Sequence, residues 1–367
     1  MKMGLSKLIL NIALAIVDFL TFFIHTDPKR ITFISLTQDH LTSDFLKISN
    51  QLEKEGLYDL HYNLIIFKKN IWGDMHYFFN CLKQLIECKK SALVILNDNN
   101  YVISTRKPKN TKVLQVWHAT GAIKKFGNQI QRQYPIQNYD AVLCSSEFWK
   151  DVYMKSFGVR KEQIHCTGLP RIDDLLSKSE KDVLEFYQKY PQCKNKKCVL
   201  YAPTFRGNII DGLKINPLDL KVVEEALGDS YILLYKFHPL LGEMHCTAKN
   251  AVCVNQEDLY TLMHVSDCMI SDYSSILLDY SLLKKPMISY VPDLKEYEGT
   301  IGLNIDYETE FPGAICKDEK EVIEAVQNVK TYNYEKLEAF HNKYILHSDG
   351  NNTERVVHLI DECMKKR

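Results

Sequence analysis

The run Cys268-Met269-Ile270-Ser271-Asp272-Tyr273-Ser274-Ser275-Ile276-Leu277-Leu278-Asp279-Tyr280-Ser281-Leu282-Leu283 carries the clearest structural pattern of the chain. Its first four residues are an apolar run of strand length. Asp272 to Ser275 are turn and helix-start types, and apolar residues then recur at helical spacing over 276–283. A second apolar run, 287–290, begins just after Pro286. Strand, helix and strand in this order form a βαβ unit, whose two strands are parallel because the helix carries the chain back across the sheet.

The alternation extends in both directions. Toward the N terminus the pattern predicts strands at 198–202, 231–237 and 251–254 with helices near 217–226 and 259–264; toward the C terminus a helix is expected at 319–328. Ahead of a Lys-rich helical stretch at 179–197, strands at 31–36, 60–67, 92–96, 113–117 and 141–144 alternate with helices over 43–56 and 75–89. The expectation is an α/β protein of two Rossmann-like, doubly wound domains facing across a cleft. Their ranges are 28–185 and 186–350, preceded by a separate helical segment at 1–27. A last helix within 351–367 is expected to pack back on the first domain.

A length of 367 residues suits two domains of ordinary size. Lys plus Arg and Asp plus Glu both number 46, so no overall basic field invites nucleic acid. Eleven cysteines, scattered through apolar segments, fit reduced thiols in a cytoplasmic compartment. Cys193 and Cys198 lack a second Cys or His pair at zinc spacing, and no Walker loop or Gly-x-Gly-x-x-Gly occurs, so neither a metal nor a cofactor is expected.

Residues 8–24 are the most apolar stretch of the chain. A span needs about 20 apolar residues, and Asn11 and Asp18 interrupt this one. Lys7, Asn11, Asp18 and Thr21 recur at helical spacing as one polar stripe. The expectation is an amphipathic helix lying in the headgroup layer, basic residues toward anionic lipid, at the cytoplasmic face of the membrane. The competing reading is a helix buried against the protein.

In open α/β sheets ligands bind outside the carboxyl ends of the strands. Gln115-Val116-Trp117 runs into His118-Ala119-Thr120-Gly121, and Lys236-Phe237 into His238-Pro239. Two imidazoles at equivalent strand ends can share a substrate, one taking a proton and the other supporting a developing anion, and an ordinary imidazole titrates near ~6.5. Ser274 and Ser275 open a helix, where hydroxyls and unpaired N–H groups receive anions, although a serine there also serves as a plain helix cap. Arg206, at the end of Tyr201-Ala202-Pro203-Thr204-Phe205-Arg206, has the geometry to fork onto a phosphate. Lys124 and Lys125, with Arg106, Lys107, Lys109 and Lys112, form a basic stretch around His118.

At these motifs the chain resembles the CDP-glycerol glycerophosphotransferases, the teichoic acid primases and polymerases of Gram-positive bacteria. The likeness rests on Gln115 through Gly121 with Lys124-Lys125-Phe126-Gly127, on Tyr201 through Arg206, and on Lys236 through Pro239. It continues at Ser271-Asp272-Tyr273-Ser274-Ser275 with Asp279, at Pro286 through Tyr290, at Asp293 and Tyr297, and at His347-Ser348-Asp349-Gly350 with Arg355. The first hundred residues carry far less of it. Where the family often has Gly-Thr-Pro after the Trp-His pair, Ala119-Thr120-Gly121 stands.

The resemblance implies a GT-B-like fold and transfer of glycerol phosphate from CDP-glycerol to an acceptor hydroxyl, with release of CMP and no cofactor. It implies His118 and His238 as catalytic residues. Thr204, Arg206, Asp272, Ser274 and Ser275 would hold the donor, and Thr120, Lys124, Lys236 and Arg355 would contact phosphate or acceptor. The member it most resembles is a glycerol-phosphate primase, whose acceptor is a lipid-diphosphate-linked disaccharide at the membrane surface. A polymerase or CDP-ribitol user, a CMP-sugar glycosyltransferase and a non-catalytic glycan- or lipid-binding scaffold are the alternatives, and a homo-oligomer is open.

Overall fold

The structure, a computed structural model, describes residues 4–204, 216–237 and 248–365, together with the backbone of 206–208 and 212–214. The chain forms two compact units. One comprises Met1–His118, Phe126–Asp173 and Asp349–Arg367; the other comprises Ala119–Lys125 and Asp174–Ser348.

The elements begin with α1 (Leu5–Leu20), β1 (Asp27–Ser35), α2 (Ser43–Glu55), β2 (Asp59–Leu64), α3 (Ile71–Lys90) and β3 (Ser91–Leu96). Next come α4 (Tyr101–Arg106), β4 (Lys112–Gln115), β5 (Ala141–Leu143), α5 (Phe148–Phe157), β6 (Ile164–His165), α6 (Pro170–Ser177) and α7 (Glu180–Lys189). The chain then runs through β7 (Lys197–Tyr201), the separate antiparallel pair β8 (Arg206–Asn208) and β9 (Gly212–Lys214), α8 (Leu220–Leu227), β10 (Tyr231–Tyr235), β11 (Val252–Cys253) and α9 (Leu259–Val265). It continues with β12 (Cys268–Ser271), α10 (Ile276–Ser281), β13 (Met287–Tyr290), α11 (Leu294–Thr300), α12 (Tyr307–Glu310), β14 (Ala314–Cys316) and α13 (Glu319–Gln327). Two helices end the chain, α14 (Tyr334–Tyr344) and α15 (Asn352–Lys365).

In the first unit a six-stranded parallel sheet has the order β2-β1-β3-β4-β5-β6, so the winding reverses between β1 and β3. The core on one face joins Ile31 and Phe33 of β1 to Phe45, Ile48 and Leu52 of α2, the i, i+3, i+7 stripe of an amphipathic helix. Gly56, at φ +65°, ends α2 in the left-handed conformation that glycine adopts without strain. Val356, Val357, Ile360 and Met364 of α15 complete the same core.

In the second unit the parallel order is β11-β10-β7-β12-β13-β14, with the reversal between β7 and β12. Its core packs Val199 and Tyr201 of β7 and Ile270 of β12 with Leu220, Val223 and Leu227 of α8 and Val322 and Val326 of α13. The expected α/β class with two parallel sheets is thus present.

Several predicted strands end early, β4 and β10 among them. β4 stops at Gln115 because Trp117 adopts φ +65°, which turns the chain out of the sheet. β10 stops at Tyr235, and Phe237 N–H goes to the Asn255 side chain at 2.8 Å instead of a ladder.

Helix α1 turns its polar stripe toward the protein. Asp18 pairs with Lys89 at 2.6 Å, Asn11 accepts from the Tyr101 hydroxyl at 2.6 Å, and Lys7 donates to the Gln133 carbonyl at 2.6 Å. Leu10 and Leu14 are buried against Leu85 and Val102. Leu5, Ile9, Ile12, Ile16 and Phe19 face outward, with Phe22 and Phe23 beyond the helix end also exposed. Lys7, expected at the lipid side, is therefore held by protein, because the Gln133 carbonyl and the Tyr101 ring, 6.0 Å from its ammonium, lie within its reach. Among the described residues no helix is long and apolar enough to cross a membrane.

Candidate active site

The reversal of strand order in the second unit leaves a crevice position at the carboxyl ends of β7 and β12, where the chain continues into Thr204 and Asp272. Asp272, buried, accepts at Oδ1 from the Thr204 N–H at 3.0 Å and from its hydroxyl at 2.8 Å. Thr204 Oγ1 in turn accepts from the Lys124 ammonium at 2.6 Å. Lys124 lies 5.7 Å above the ring of Tyr297, which stacks on Tyr273 at 4.1 Å. The Asp272 carbonyl accepts from the Tyr307 hydroxyl at 2.7 Å. The carboxylate thus shapes the turn after β7 and, through Thr204, holds a cation beside it.

Lys124 reaches this place because Ala119–Lys125 packs within the second unit. The Ser275 hydroxyl donates to Gly121 O at 3.0 Å, and Thr120 donates to the Asp279 carboxylate. Asn304 Nδ2 donates to Ala122 O at 2.9 Å and Lys124 O at 3.0 Å. Lys125 N–H donates to Gly302 O at 3.0 Å, and a Cβ at Gly302 would lie 2.9 Å from Lys125 Cδ. Ser275 sits at the cap position of α10 without capping it; Ser274 Oγ accepts from Ile276 N–H at 3.4 Å, a weak cap.

His118 closes the first segment of the first unit. Its Nδ1 lies 3.0 Å from the Asn97 carbonyl, which can only accept, so Nδ1 carries a proton, and in the neutral ring Nε2 carries the lone pair. The bond is fixed from behind. Gln115, fully buried, donates from Nε2 to Asp98 O at 2.8 Å and accepts at Oε1 from Trp117 N–H at 2.8 Å. One amide therefore ties the end of β3 to the left-handed turn that aims the imidazole. Arg171 braces the other side, donating to His118 O at 2.6 Å while its Nε donates to Asp44 at 2.7 Å.

Asp98 stands at the other reversal point, after β3. Its Oδ2 accepts from Leu36 N–H at 2.8 Å and from Ser35 Oγ at 3.4 Å. Burial pushes this carboxyl up to about 7, against the pull of those two donors.

The residues singled out from sequence fall in both units. Thr120, Lys124, Thr204, Asp272, Ser274 and Ser275 lie in the second unit around the ends of β7 and β12. Lys236 belongs to the same unit, where burial lowers its pKa and its ammonium donates to Asn255 O at 2.7 Å and Glu257 O at 2.8 Å. Arg355, in the first unit, pairs with Asp349 and donates to Asn352 Oδ1 at 3.2 Å. His238 and the side chain of Arg206 lie outside the described residues. Asn97, Asp98 and Arg171 were not singled out, nor was Gln115 beyond its place in the motif. Asn97-Asp98-Asn99-Asn100 directly follows an apolar strand, so the rule that marks His118 marks that segment too.

The family model for CDP-glycerol:poly(glycerophosphate) glycerophosphotransferase matches residues 16–362, taking in most of the first hundred residues as well. The teichoic acid ribitol-phosphate primase of Bacillus spizizenii is 31% identical over 99% of this chain and 99% of its own. The teichoic acid glycerol-phosphate primase of Bacillus subtilis is 30% identical over 75% of this chain and 74% of its own. A solved structure of the wall teichoic acid polymerase TagF superposes with a TM-score of 0.76 at 22% identity, covering 98% of this chain and 94% of that one, a likeness of fold. With the motifs at the strand ends and a match along nearly the whole length, the chain belongs to the CDP-glycerol:poly(glycerophosphate) glycerophosphotransferase family and is an enzyme of CDP-polyol phosphate transfer.

Proposed function

We propose that this enzyme adds a single polyol phosphate to a lipid-diphosphate-linked disaccharide, a priming reaction. The acceptor hydroxyl attacks the phosphorus that carries the polyol, the bridging P–O bond breaks, and CMP leaves; the hydroxyl proton passes to His118 Nε2. The observation that carries this reading is the hydrogen bond from His118 Nδ1 to Asn97 O, which fixes the tautomer a general base requires. On the donor side, Thr204, Ser274, Ser275 and Arg206 are proposed to receive the diphosphate, with Asp272 positioning Thr204 and Lys124 countering the charge that develops on the leaving phosphate. His238 is proposed to support the diphosphate as it breaks, and Thr120, Lys236 and Arg355 remain candidate phosphate or acceptor contacts.

Glycerol phosphate is the first reading for the transferred group. Ribitol phosphate is the second, favoured by the end-to-end correspondence with a ribitol-phosphate primase. Incubation with CDP-glycerol or CDP-ribitol and a lipid disaccharide with a shortened tail separates them: the mass gained by the acceptor names the polyol. One increment is expected, and a ladder of increments would replace priming by polymerisation.

The acceptor resides in a membrane, and the outward apolar residues of α1 support peripheral attachment at its cytoplasmic face. In that arrangement the polar stripe holds the helix to the protein and leaves the apolar side for lipid.

A further inference from the structure

Helix α3 exposes apolar residues of its own, Ile71, Trp72, Met75 and Phe79. Beside them, between α3 and the carboxyl half of the edge strand β2, is a cavity of about 410 Å³ whose lining includes Tyr62, Asn63, His76, Phe79, Asn80 and Lys83. Asn63 and Asn80 are 3% and 6% exposed, and the Nδ2 of each is buried without a hydrogen-bond partner.

The direction of the Asn63 amide is set by a relay. Asn100 Oδ1 accepts from Ile103 N–H at 2.9 Å at the start of α4, so Asn100 Nδ2 must be the group 3.0 Å from Gln84 Oε1. Gln84 then presents Nε2 to Asn63 Oδ1 at 3.4 Å, which leaves the Asn63 Nδ2 unpaired within the wall of the cavity. Unpaired buried donors cost stability, and an acceptor oxygen that reaches them from the cavity would recover part of that cost. Lys83 and His76 at the rim, with Lys68 and Lys69 exposed just before α3, favour an anionic one.

We propose that this cavity binds the headgroup phosphate of an anionic phospholipid while the apolar residues of α3 enter the acyl layer beside it. The ligand class follows from the basic rim with the amide donors behind it, and its source from the apolar residues on the same helix. The assignment rests on the membrane-surface reading above, but can fail separately from it.

The full chain is floated with vesicles of phosphatidylcholine alone and of phosphatidylcholine mixed with phosphatidylglycerol. The wild type is expected to prefer the mixed vesicles. Lys83→Gln, a surface change, and Asn63→Asp, which keeps the acceptor for Gln84, are each expected to lose about five-fold of that preference while still binding phosphatidylcholine. Full preference in both variants would overturn the headgroup site and leave membrane attachment standing. Joint replacement of Phe19, Phe22 and Phe23 by Ser is expected to weaken binding to both vesicles, and unchanged binding would remove the membrane reading itself. No saturable binding of soluble glycerol phosphate is expected without vesicles; such binding, lost in Lys83→Gln, would give the cavity to a free phosphate ester instead of a lipid.

Discussion

Asp98 is held in the folded chain at a place where burial pushes its carboxyl from the ordinary 3.8 up to about 7. The folded chain therefore keeps a proton that the unfolded chain has released across the window between those values, and stability falls as pH rises through it. Asp98→Asn, which retains an acceptor for Leu36 N–H, should lack this slope. Urea unfolding at about pH 5 and about pH 8 should show the wild type losing roughly 2–3 kcal/mol relative to the variant, and parallel stabilities at both would contradict the assignment. Gln115 acts by another route, since its amide reaches His118 only through the backbone of Trp117 and Asp98. Gln115→Leu should lower kcat about ten-fold or more while the KM for the CDP-polyol changes little, because misaiming a base costs rate more than donor binding. An unchanged kcat would remove Gln115 from the positioning of His118.

Among the elements, α15 shows how a helix remote in sequence is locked to the first sheet. Asp173 accepts from Asn352 N at 3.1 Å and Nδ2 at 2.8 Å, and from Thr353 N at 2.7 Å and Oγ1 at 2.6 Å, so one buried carboxylate caps the helix start. Asp173→Ala should cost about 2–4 kcal/mol in chemical unfolding, and less than about 1 kcal/mol would mean that the apolar face of α15 suffices. The long apolar strands and the stripes of α2 and α13 were legible because burial imposes a period on the sequence. The strand β6 and the hairpin strands β8 and β9 were not, being too short to show one. For α1 the period was plain but the direction was not: a stripe of Lys7, Asn11 and Asp18 reads alike whether it meets water or the partners that Gln133, Tyr101 and Lys89 provide.

For the molecule as a whole, both sheets place polar residues at the point where their winding reverses, Asp98 with Ser35 in one and Asp272 with Thr204 in the other. The motif positions Thr204, Asp272 and His118 were readable from the ends of apolar runs. Strand order is not written in any local stretch, so the neighbours that make those positions a site, Asn97 behind His118 and Lys124 beside Thr204, came only with the fold. In the proposed reaction His118 takes the acceptor's proton as the polyol phosphate moves from CDP. The most direct measurement of this step is CMP release and acceptor mass with both CDP-polyols, for the wild type and for His118→Ala of matched unfolding stability. CMP formed one-for-one with a singly extended acceptor is expected, with a loss of about a hundred-fold or more in the variant. Wild-type turnover in His118→Ala would contradict it.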